Sequence, residues 1–505
     1  MNAFRPLGPL LLGLGLGLLA AVGIAQAADQ APTGTPGAAY SNLPDMGSGA
    51  NAMISREEER QVGRMMVRNL REENAILEDP ESTEYIQSVG SSIGAHAQDG
   101  DTRLTFFIVR DQAVNAFAIP GGFIGVNVGM VLLTSNESEL AGVLGHEIGH
   151  VVQRHIARAV QAQSRNSLTT MAAMLGAVLI GAMSGNADAA PGLIAMAQGV
   201  SMQQQINFTR MEESEADRVG IGYLAAAEFD PNAVATLWTR MSQNQGSPSY
   251  YDIPDMLKTH PVNSLRIAEG RSRAAQYPHH APRVDPPSYS MIRERLRVIA
   301  TDPTSDLRPY YASLKANGID TLATRYGAAL ADLSAGDAKK AVKSLRELVA
   351  ANTGVTILHT ALGQAQMAAG DQDGALATFA RANALYPRNI PITVRYSEAL
   401  LTAGKATQAH QLLLDIFNNV TPTPEQIRLT ALAASSAGDT GDAYYYMSEY
   451  HIASGDLMLA TQQLDLALAA PNLSDIQRKR FRARLDEIRG YLRDQRKPRA
   501  QQTGG

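Results

Sequence analysis

The chain has 505 residues, 45% hydrophobic and 18% charged, with a formal net charge of −5 and no cysteine. That length suits roughly two to three domains, the apolar content excludes a disordered polyampholyte, and without surplus positive charge a nucleic-acid binder is disfavoured. Lack of cysteine excludes a disulfide scaffold, a thiol nucleophile, cysteine-ligated zinc and iron–sulfur clusters, so a tight transition-metal site must be built from the 10 histidines and the carboxylates.

Residues 1–27 read as a secretory signal: Arg5, an uncharged run from Leu10 to Ile24, and Ala25-Gln26-Ala27 as an A-x-A cleavage site. The run is short for a bilayer span, so a cleaved signal is expected, and an exported chain without cysteine fits a bacterial periplasm. Residues 28–50, rich in Ala, Gly, Pro, Ser and Thr, read as a flexible leader. A helix is expected from Ser55, an N-cap with Glu58 three residues on. Residues 103–128 change period. Leu104, Phe106 and Ile108 alternate, and Asn115-Ala116-Phe117-Ala118-Ile119 and Phe123-Ile124-Gly125-Val126 flank a Pro120-Gly121-Gly122 turn, which reads as short strands with a hairpin. One long helix is expected from about Asn136 to Ala162, with Asn136 and Glu139 as its capping pair.

That helix carries His146-Glu147-Ile148-Gly149-His150, an H-E-x-x-H motif. Residues i and i+4 share one helix face, so His146 and His150 can offer nitrogens to one zinc ion. Glu147 lies about 100° round the helix, too far to be a co-facial ligand and well placed to act on a water in the site. His155, five residues past His150, is on the wrong face of a continuous helix for the same ion and reads as structural. A catalytic zinc site takes three protein ligands, so one more is needed. In the acidic segment Arg210 to Asp217, Glu213 and Asp217 are again i and i+4. Glu213 can serve as a ligand and Asp217 can hold a ligand histidine in one tautomer, with Ala216 allowing close packing on the histidine helix. From spacing alone a solvated acidic helix fits equally well. Between the motifs, Leu168 to Met183 has no charge. It is too short to span a bilayer and reads either as a buried helical hairpin or as an apolar surface for membrane or client contact.

Pro and His cluster at 277–287, so 277–305 reads as a linker between a domain at 51–276 and a second at 306–495, and His279-His280 as part of that linker. The second half repeats. Gly336, Gly370, Gly404 and Gly438 stand 34 residues apart, each followed by Ala341, Ala375, Ala409 or Ala443 and then by Leu345, Phe379, Leu413 or Met447. That is tetratricopeptide arithmetic. Gly455, Ala460 and Leu464 repeat the offsets once more. Such a solenoid presents a concave face to other polypeptides. The basic run from Arg478 to Arg499 reads as a capping helix, and residues 496–505 as a disordered tail.

The order Asn115 to Gly122, His146-Glu147-x-x-His150, Glu213-x-x-Ala216-Asp217 and Thr259-His260-Pro261 with Arg266 resembles the gluzincin metallopeptidases of the HtpX and CAAX prenyl endopeptidase family. With a signal in front and repeats behind, the resemblance extends to the periplasmic members of that family over nearly all of the mature chain. It implies an α+β zincin-type metalloprotease domain followed by an all-α tetratricopeptide-repeat solenoid. It further implies one Zn2+ held by His146, His150 and Glu213, Glu147 as catalytic base and Asp217 behind the ligands. His260 is then either a fourth ligand that silences the enzyme or an oxyanion donor, and Arg266 either clamps substrate or fixes the loop; both also read as a structural turn. The expected chemistry is peptide-bond hydrolysis, with substrate extended beside Asn115, Ala116, Phe117 and Ala118. The expected partners are unfolded or stalled polypeptides and, through the repeats, outer-membrane protein assembly machinery. Peripheral membrane contact would run through Leu168 to Met183, and no nucleic acid is expected. The competing expectation is a chaperone or assembly factor whose protease site is mostly latent.

Overall fold

The computed structural model describes residues 55–97, 103–162, 202–243, 256–257, 260–278 and 284–495. The signal, the leader, the apolar stretch 168–183, the pair at 279–280, Thr259 and the tail 496–505 lie outside them.

Helix α1 (Arg56–Glu72) starts at Ser55, whose hydroxyl accepts from the Glu58 N–H at 3.2 Å while the Glu58 carboxylate accepts from the Ser55 N–H at 2.9 Å. Val62, Met66 and Leu70 recur at helical spacing and pack with Phe107, Val109, Ile119 and Phe123. Helix α2 (Pro80–Gly94), capped by Asp79, buries Ile86, Val89 and Ile93 with Phe106, Ile108, Ile124 and Val126. Strand β1 (Thr105–Val109) is thus covered on both faces, and its alternating residues enter two different cores rather than core and solvent. It pairs in parallel with β3 (Phe123–Asn127), which pairs antiparallel with β2 (Ala116–Ile119), giving the order β1-β3-β2. The hairpin turns on Gly121 and Gly122 at φ 80° and 88°, a region open to glycine. A Cβ on Gly121 would stand 2.3 Å from the Arg60 Cα, so the turn is pressed onto α1. Strand β2 is an edge strand.

Beyond the sheet come α3 (Val128–Leu133), α4 (Glu137–Val152), α5 (His155–Ala162), α6 (Met202–Ala226), α7 (Ala233–Gln243), α8 (Ser264–Ala274) and α9 (Pro287–Ile299). Helices α4 and α6 approach so closely that a Cβ on Gly149 would lie 2.8 Å from the Ala216 carbonyl oxygen, and one on Gly220 2.7 Å from that of Gly145. The single helix expected from Asn136 to Ala162 is two. Asn136 caps the first by accepting from the Glu139 N–H at 2.8 Å. Arg154 then sits at φ 53° and ends it, with its guanidinium buried 3.2 Å from Glu59. The segment read as a linker holds α9. Proline at a first helical position loses no hydrogen bond, so Pro287 opens a helix, whose Tyr289, Met291, Ile292 and Leu296 are buried.

The second half is a run of antiparallel helices: α10 (Arg308–Ala316), α11 (Leu322–Ser334), α12 (Ala338–Ala351), α13 (Thr356–Ala368), α14 (Gln372–Leu385), α15 (Ile390–Thr402), α16 (Ala406–Phe417), α17 (Pro424–Ser436), α18 (Thr440–Ala453), α19 (Leu457–Ala469) and α20 (Asp475–Gln495). Gly336, Gly370, Gly404 and Gly438 lie at φ 73° to 85° and end α11, α13, α15 and α17. Ala341, Ala375 and Ala409 are fully buried between helices, with Leu345, Phe379 and Leu413 beside them. Ala443 and Met447 of the last repeat are only half-buried. Helix α20 covers the end of the array with Phe481, Leu485 and Ile488.

The halves share one continuous core, which runs from Leu77 and Trp238 through Tyr289 to Leu358 and Ala365. A buried ion network crosses the same junction. Arg295 of α9 donates to Asp79 (2.6 and 2.9 Å) and Glu81 (2.9 Å), and Arg395 of α15 donates to the same two carboxylates (2.9 and 2.8 Å). Helix α1 also meets the far end of the array, where the Gln61 amide donates to the Gly455 carbonyl at 2.7 Å and Arg68 pairs with Asp456 at 3.2 Å.

Candidate metal and catalytic site

The glycine-rich contact between α4 and α6 sets the site. It lays the His146 and His150 face of α4 against Glu213 and Asp217 of α6. Across from them a short segment is tied to the approach of β2: the Met256 N–H donates to the Val114 carbonyl at 2.9 Å, and the His260 N–H to the Met256 carbonyl at 2.8 Å. Helix α8 follows, with Arg266 buried in its first turn.

His146, His150, Glu213 and His260 each bring one ligand atom into a single cluster, all within 4.8 Å of one another. The His146 Nε2 lies 3.1 Å from the His150 Nε2, 3.2 Å from the His260 Nδ1 and 3.4 Å from a Glu213 oxygen. The other Glu213 oxygen is 3.4 Å from the His150 Nε2 and 2.8 Å from the His260 Nδ1. Metal–ligand bonds of about 2.0–2.1 Å in a tetrahedron place the ligand atoms ~3.3–3.4 Å apart. The donors therefore fit a tetrahedral transition-metal ion, and with His260 included they number four.

The far side of each ring fixes which nitrogen faces the cluster. Asp217 accepts from the His146 Nδ1–H at 2.9 Å, which leaves the Nε2 lone pair for a metal. His155 stands behind His150, with the two Nδ1 atoms 2.8 Å apart, and its Nε2 lies 3.2 Å from Glu215. If the His155 Nε2–H goes to the carboxylate, its Nδ1 must accept from His150, and the His150 Nε2 again presents a lone pair. Burial pushes His150 down to about 3, so its ring is neutral at ordinary pH. At His146 burial acts the same way, but the hydrogen bonds to Asp217 and Glu213 outweigh it and raise the group to about 9. A metal ion there competes with a proton.

Arg266 locks the acidic side. Its Nε and Nη2 both donate to Asp217, the latter at 2.9 Å, its Nη1 lies 2.7 Å from Glu213, and the same Nη1 donates to the Pro261 carbonyl at 3.1 Å. Burial opposes the Asp217 charge, yet the Arg266 guanidinium and the His146 hydrogen bond hold its carboxyl well below the usual range. Arg266 is 6% exposed, so its contacts face inward, onto the acidic pair and the His260 loop. Glu147 is the exception in this crowded site. It is 1% exposed, neither carboxylate oxygen has a hydrogen-bond partner among the described residues, and the His260 Nε2 lies 3.7 Å from it.

The expected substrate strand contacts divide. Ala116 is buried, and Phe117 and Ala118 are half-buried, with Phe117 edge-on to Phe107 at 6.1 Å. The Asn115 side-chain oxygen is buried without a partner among the described residues. Sequence reasoning missed Trp238, which sits edge-on to His146 at 5.9 Å and beneath the Arg266 guanidinium at 5.3 Å. Its being the sole tryptophan was the available signal. It also missed the Glu215–His155–His150 chain, which exists only because the helix breaks at Arg154.

The model of peptidase family M48 matches residues 80–274, and that of the tetratricopeptide repeat matches residues 366–433. The chain is 32% identical over 466 residues to the beta-barrel assembly-enhancing protease of Escherichia coli K12, covering 90% of this chain and 93% of that one. It is 31% identical over 453 residues to the protein of the same name from Yersinia pestis, covering 88% and 91%. The mitochondrial metalloendopeptidase OMA1 of Schizosaccharomyces pombe is 31% identical over 186 residues, covering 37% of this chain and 51% of its own.

Proposed function

The chain belongs to peptidase family M48 and is a metalloendopeptidase with a tetratricopeptide-repeat region; from that premise we propose that it is a zinc enzyme of the bacterial periplasm that cuts misfolded or stalled outer-membrane proteins. The observation that carries the reading is the convergence of four donor atoms beside a buried glutamate that has no hydrogen-bond partner among the described residues. His146, His150 and Glu213 would hold the ion, and the softness and number of the donors suit Zn2+. When bound, zinc polarises the scissile carbonyl and lowers the pKa of a water to about 7.

The chain's own residues do the rest. Asp217, and Glu215 through His155, keep the ligand rings in the tautomers that face the ion. Arg266 positions Asp217 and holds the Pro261 carbonyl, so it organises the site and its loop rather than gripping substrate. Glu147 takes a proton from the attacking water and passes it to the leaving amine. Its desolvated carboxylate has no hydrogen-bond donor among the described residues, which favours that role. The edge of β2 at Asn115 to Ala118 grips extended backbone by adding a strand. Such a grip reads few side chains, and it suits unfolded clients better than one defined sequence. The repeats recruit partners of outer-membrane assembly, a reading supported by the relatives' name, beta-barrel assembly-enhancing protease.

His260 supports a second state of the same enzyme. It supplies the fourth donor, where a catalytic site keeps an open position, so the site as folded is latent and opens when His260 withdraws. In that state the chain works as an assembly factor.

Casein digestion with parallel metal analysis tests both readings. The Glu147→Gln variant is expected to keep its metal and lose cleavage by roughly 10²–10⁴-fold; full activity would overturn the mechanism. The His260→Ala variant is expected to cleave faster than wild type. Loss of cleavage would make His260 a participant in the reaction and not a latch.

A further inference from the structure

A cleft of about 300 Å3 opens where β2 ends, walled by the Ile119 to Gly122 turn on one side, by His150 and Val151 of the ligand helix on another, and by α1. A strand laid along β2 runs into it. Its lining is rich in arginine. Arg56, Arg60, Arg64, Arg103 and Arg154 all contribute, against Glu57 and Glu59, so five arginines and two glutamates line it. This is a local reversal in a chain whose net charge is −5.

Elsewhere buried arginines meet carboxylates one for one or better: Arg266 on Asp217 and Glu213, Arg295 and Arg395 on Asp79 and Glu81. In the cleft Glu59 answers Arg154 at 3.2 Å, and Glu57 is 4.0 Å from Arg64. Arg60 is held otherwise. Its Nη1 donates to the Arg103 and Gly121 carbonyls, both at 3.1 Å, its guanidinium stands 5.4 Å over the Phe123 ring, and its buried Nε has no partner among the described residues. Burial, then the Arg64 charge, then the Arg103 charge all weaken its hold on its proton. Like charges gathered at one wall repel, and an anion in the cleft relieves that repulsion while gaining charge-assisted hydrogen bonds. The cleft touches the ligand helix at His150, so the anion would be part of the polypeptide in the active site.

We propose that this cleft is a carboxylate-binding subsite that selects substrate segments presenting an acidic side chain, or a chain-terminal carboxylate, beside the peptide bond to be cut. The inference rests on the endopeptidase reading above and narrows its substrate class. At ~30 Å3 per water, the cleft has room for an acidic side chain together with several waters. Arg60 and Arg103 are the specificity residues: Arg60 fixes the wall through the Gly121 turn, and exposed Arg103 completes it from the loop before β1.

The test uses the full chain and quenched fluorescent peptides that differ only by Asp or Asn at one position, moved through the sequence, with free and amidated C-termini. At low salt the preferred Asp peptide is expected to show a kcat/KM about tenfold above its Asn twin, carried by KM. The ratio should shrink as salt is raised and fall towards one in Arg60→Gln and in Arg103→Gln. Taking the ratio within each protein cancels any loss of folded enzyme, and Arg103 is exposed, so its variant does not disturb the core. A gain from internal Asp identifies a side-chain carboxylate as the ligand; a gain only with a free C-terminus identifies the terminal one. Equal cleavage of every pair, or a preference that survives both substitutions, overturns the subsite and leaves the protease standing. If no peptide is cut by the wild type or by His260→Ala, the endopeptidase reading fails instead. The cleft is then judged by fluorescence anisotropy of labelled Asp and Asn peptides on the Glu147→Gln protein, where equal binding overturns the subsite and an Asp preference upholds it.

Discussion

Among the described residues, one buried arginine–carboxylate network lies at the metal cluster and another at the junction of the halves, and they end differently. At the junction, Asp79 receives Arg295 twice, Arg395 once, and both the N–H and the hydroxyl of Ser82. Its two oxygens are saturated, so nothing is left to react. At the cluster, Arg266 saturates Asp217, but the chain of contacts then opens out into nitrogen lone pairs and a Glu147 carboxylate with no partner among the described residues. Similar groups at similar burial fasten two domains in one place and hold unspent donor capacity in the other. The difference lies in whether the last acceptor in the network is filled.

The contrast is sharpest if each network is cut at one atom group. Removing Arg295 as Arg295→Ala leaves Asp79 and Glu81 buried with half their partners, and breaking such a pair costs about 3–5 kcal/mol. A large fall in Tm is expected, while the metal content per folded chain stays at the wild-type level. A variant that loses metal but not Tm would erase the distinction between the two networks. At the cluster, Asp217→Asn keeps the shape and removes the charge behind His146. A smaller effect is expected here, a loss of roughly 10–100-fold in metal affinity, measured by competition with a chromophoric chelator, with Tm of the metal-free protein little changed.

Acid gives the smallest and most graded test. Burial works against the Asp79 charge, but the charges of Arg295 and Arg395 and the Ser82 hydrogen bond override it and hold the carboxyl well below the usual range. Its folded pKa is below the unfolded value of about 3.9. The stabilisation is therefore complete above that pH and is lost as pH falls through the lower, folded value, at no more than about 1.4 kcal/mol per pH unit. Urea melts of wild type and Asp79→Asn should differ most at neutral pH and converge below about pH 4. A gap that stays constant into acid would mean that Asp79 contributes by shape and not by charge.

What the sequence made legible follows from distance along the chain. The His146-Glu147-x-x-His150 motif and the 34-residue repeat are local patterns, and helical spacing turns them into geometry directly. Ser55 and Glu58 could be read as a capping box for the same reason. The Arg154 break was hidden, because it is stabilised by Glu59, a residue 95 positions earlier, whose approach no local pattern announces. His260 and Arg266 were named through a resemblance, and their placement depends on contacts that bridge 114 and 49 residues. The helix in the supposed linker was misread for a different reason. Clustered prolines argue for a break, yet a proline at the first helical position opens a helix at no cost, and the apolar spacing of Tyr289, Ile292 and Leu296 was the clue. The junction network was invisible, since Asp79 meets Arg395 across 316 positions.

The bond from Gln61 to Gly455 spans 394 positions, and the ion pair from Arg68 to Asp456 sits beside it. Helix α1, the first described element, is thus closed by nearly the last. Long-range closure of this kind carries a large entropic cost before it is rewarded, and it slows folding. In a chain synthesised N-terminus first, α1 must wait, with one face uncovered, until the end of the repeat array arrives. The same helix forms a wall of the arginine cleft. Completion of that wall therefore reports that the whole chain has arrived, and a protease truncated before Gly455 would carry an intact H-E-x-x-H helix beside an unsupported cleft.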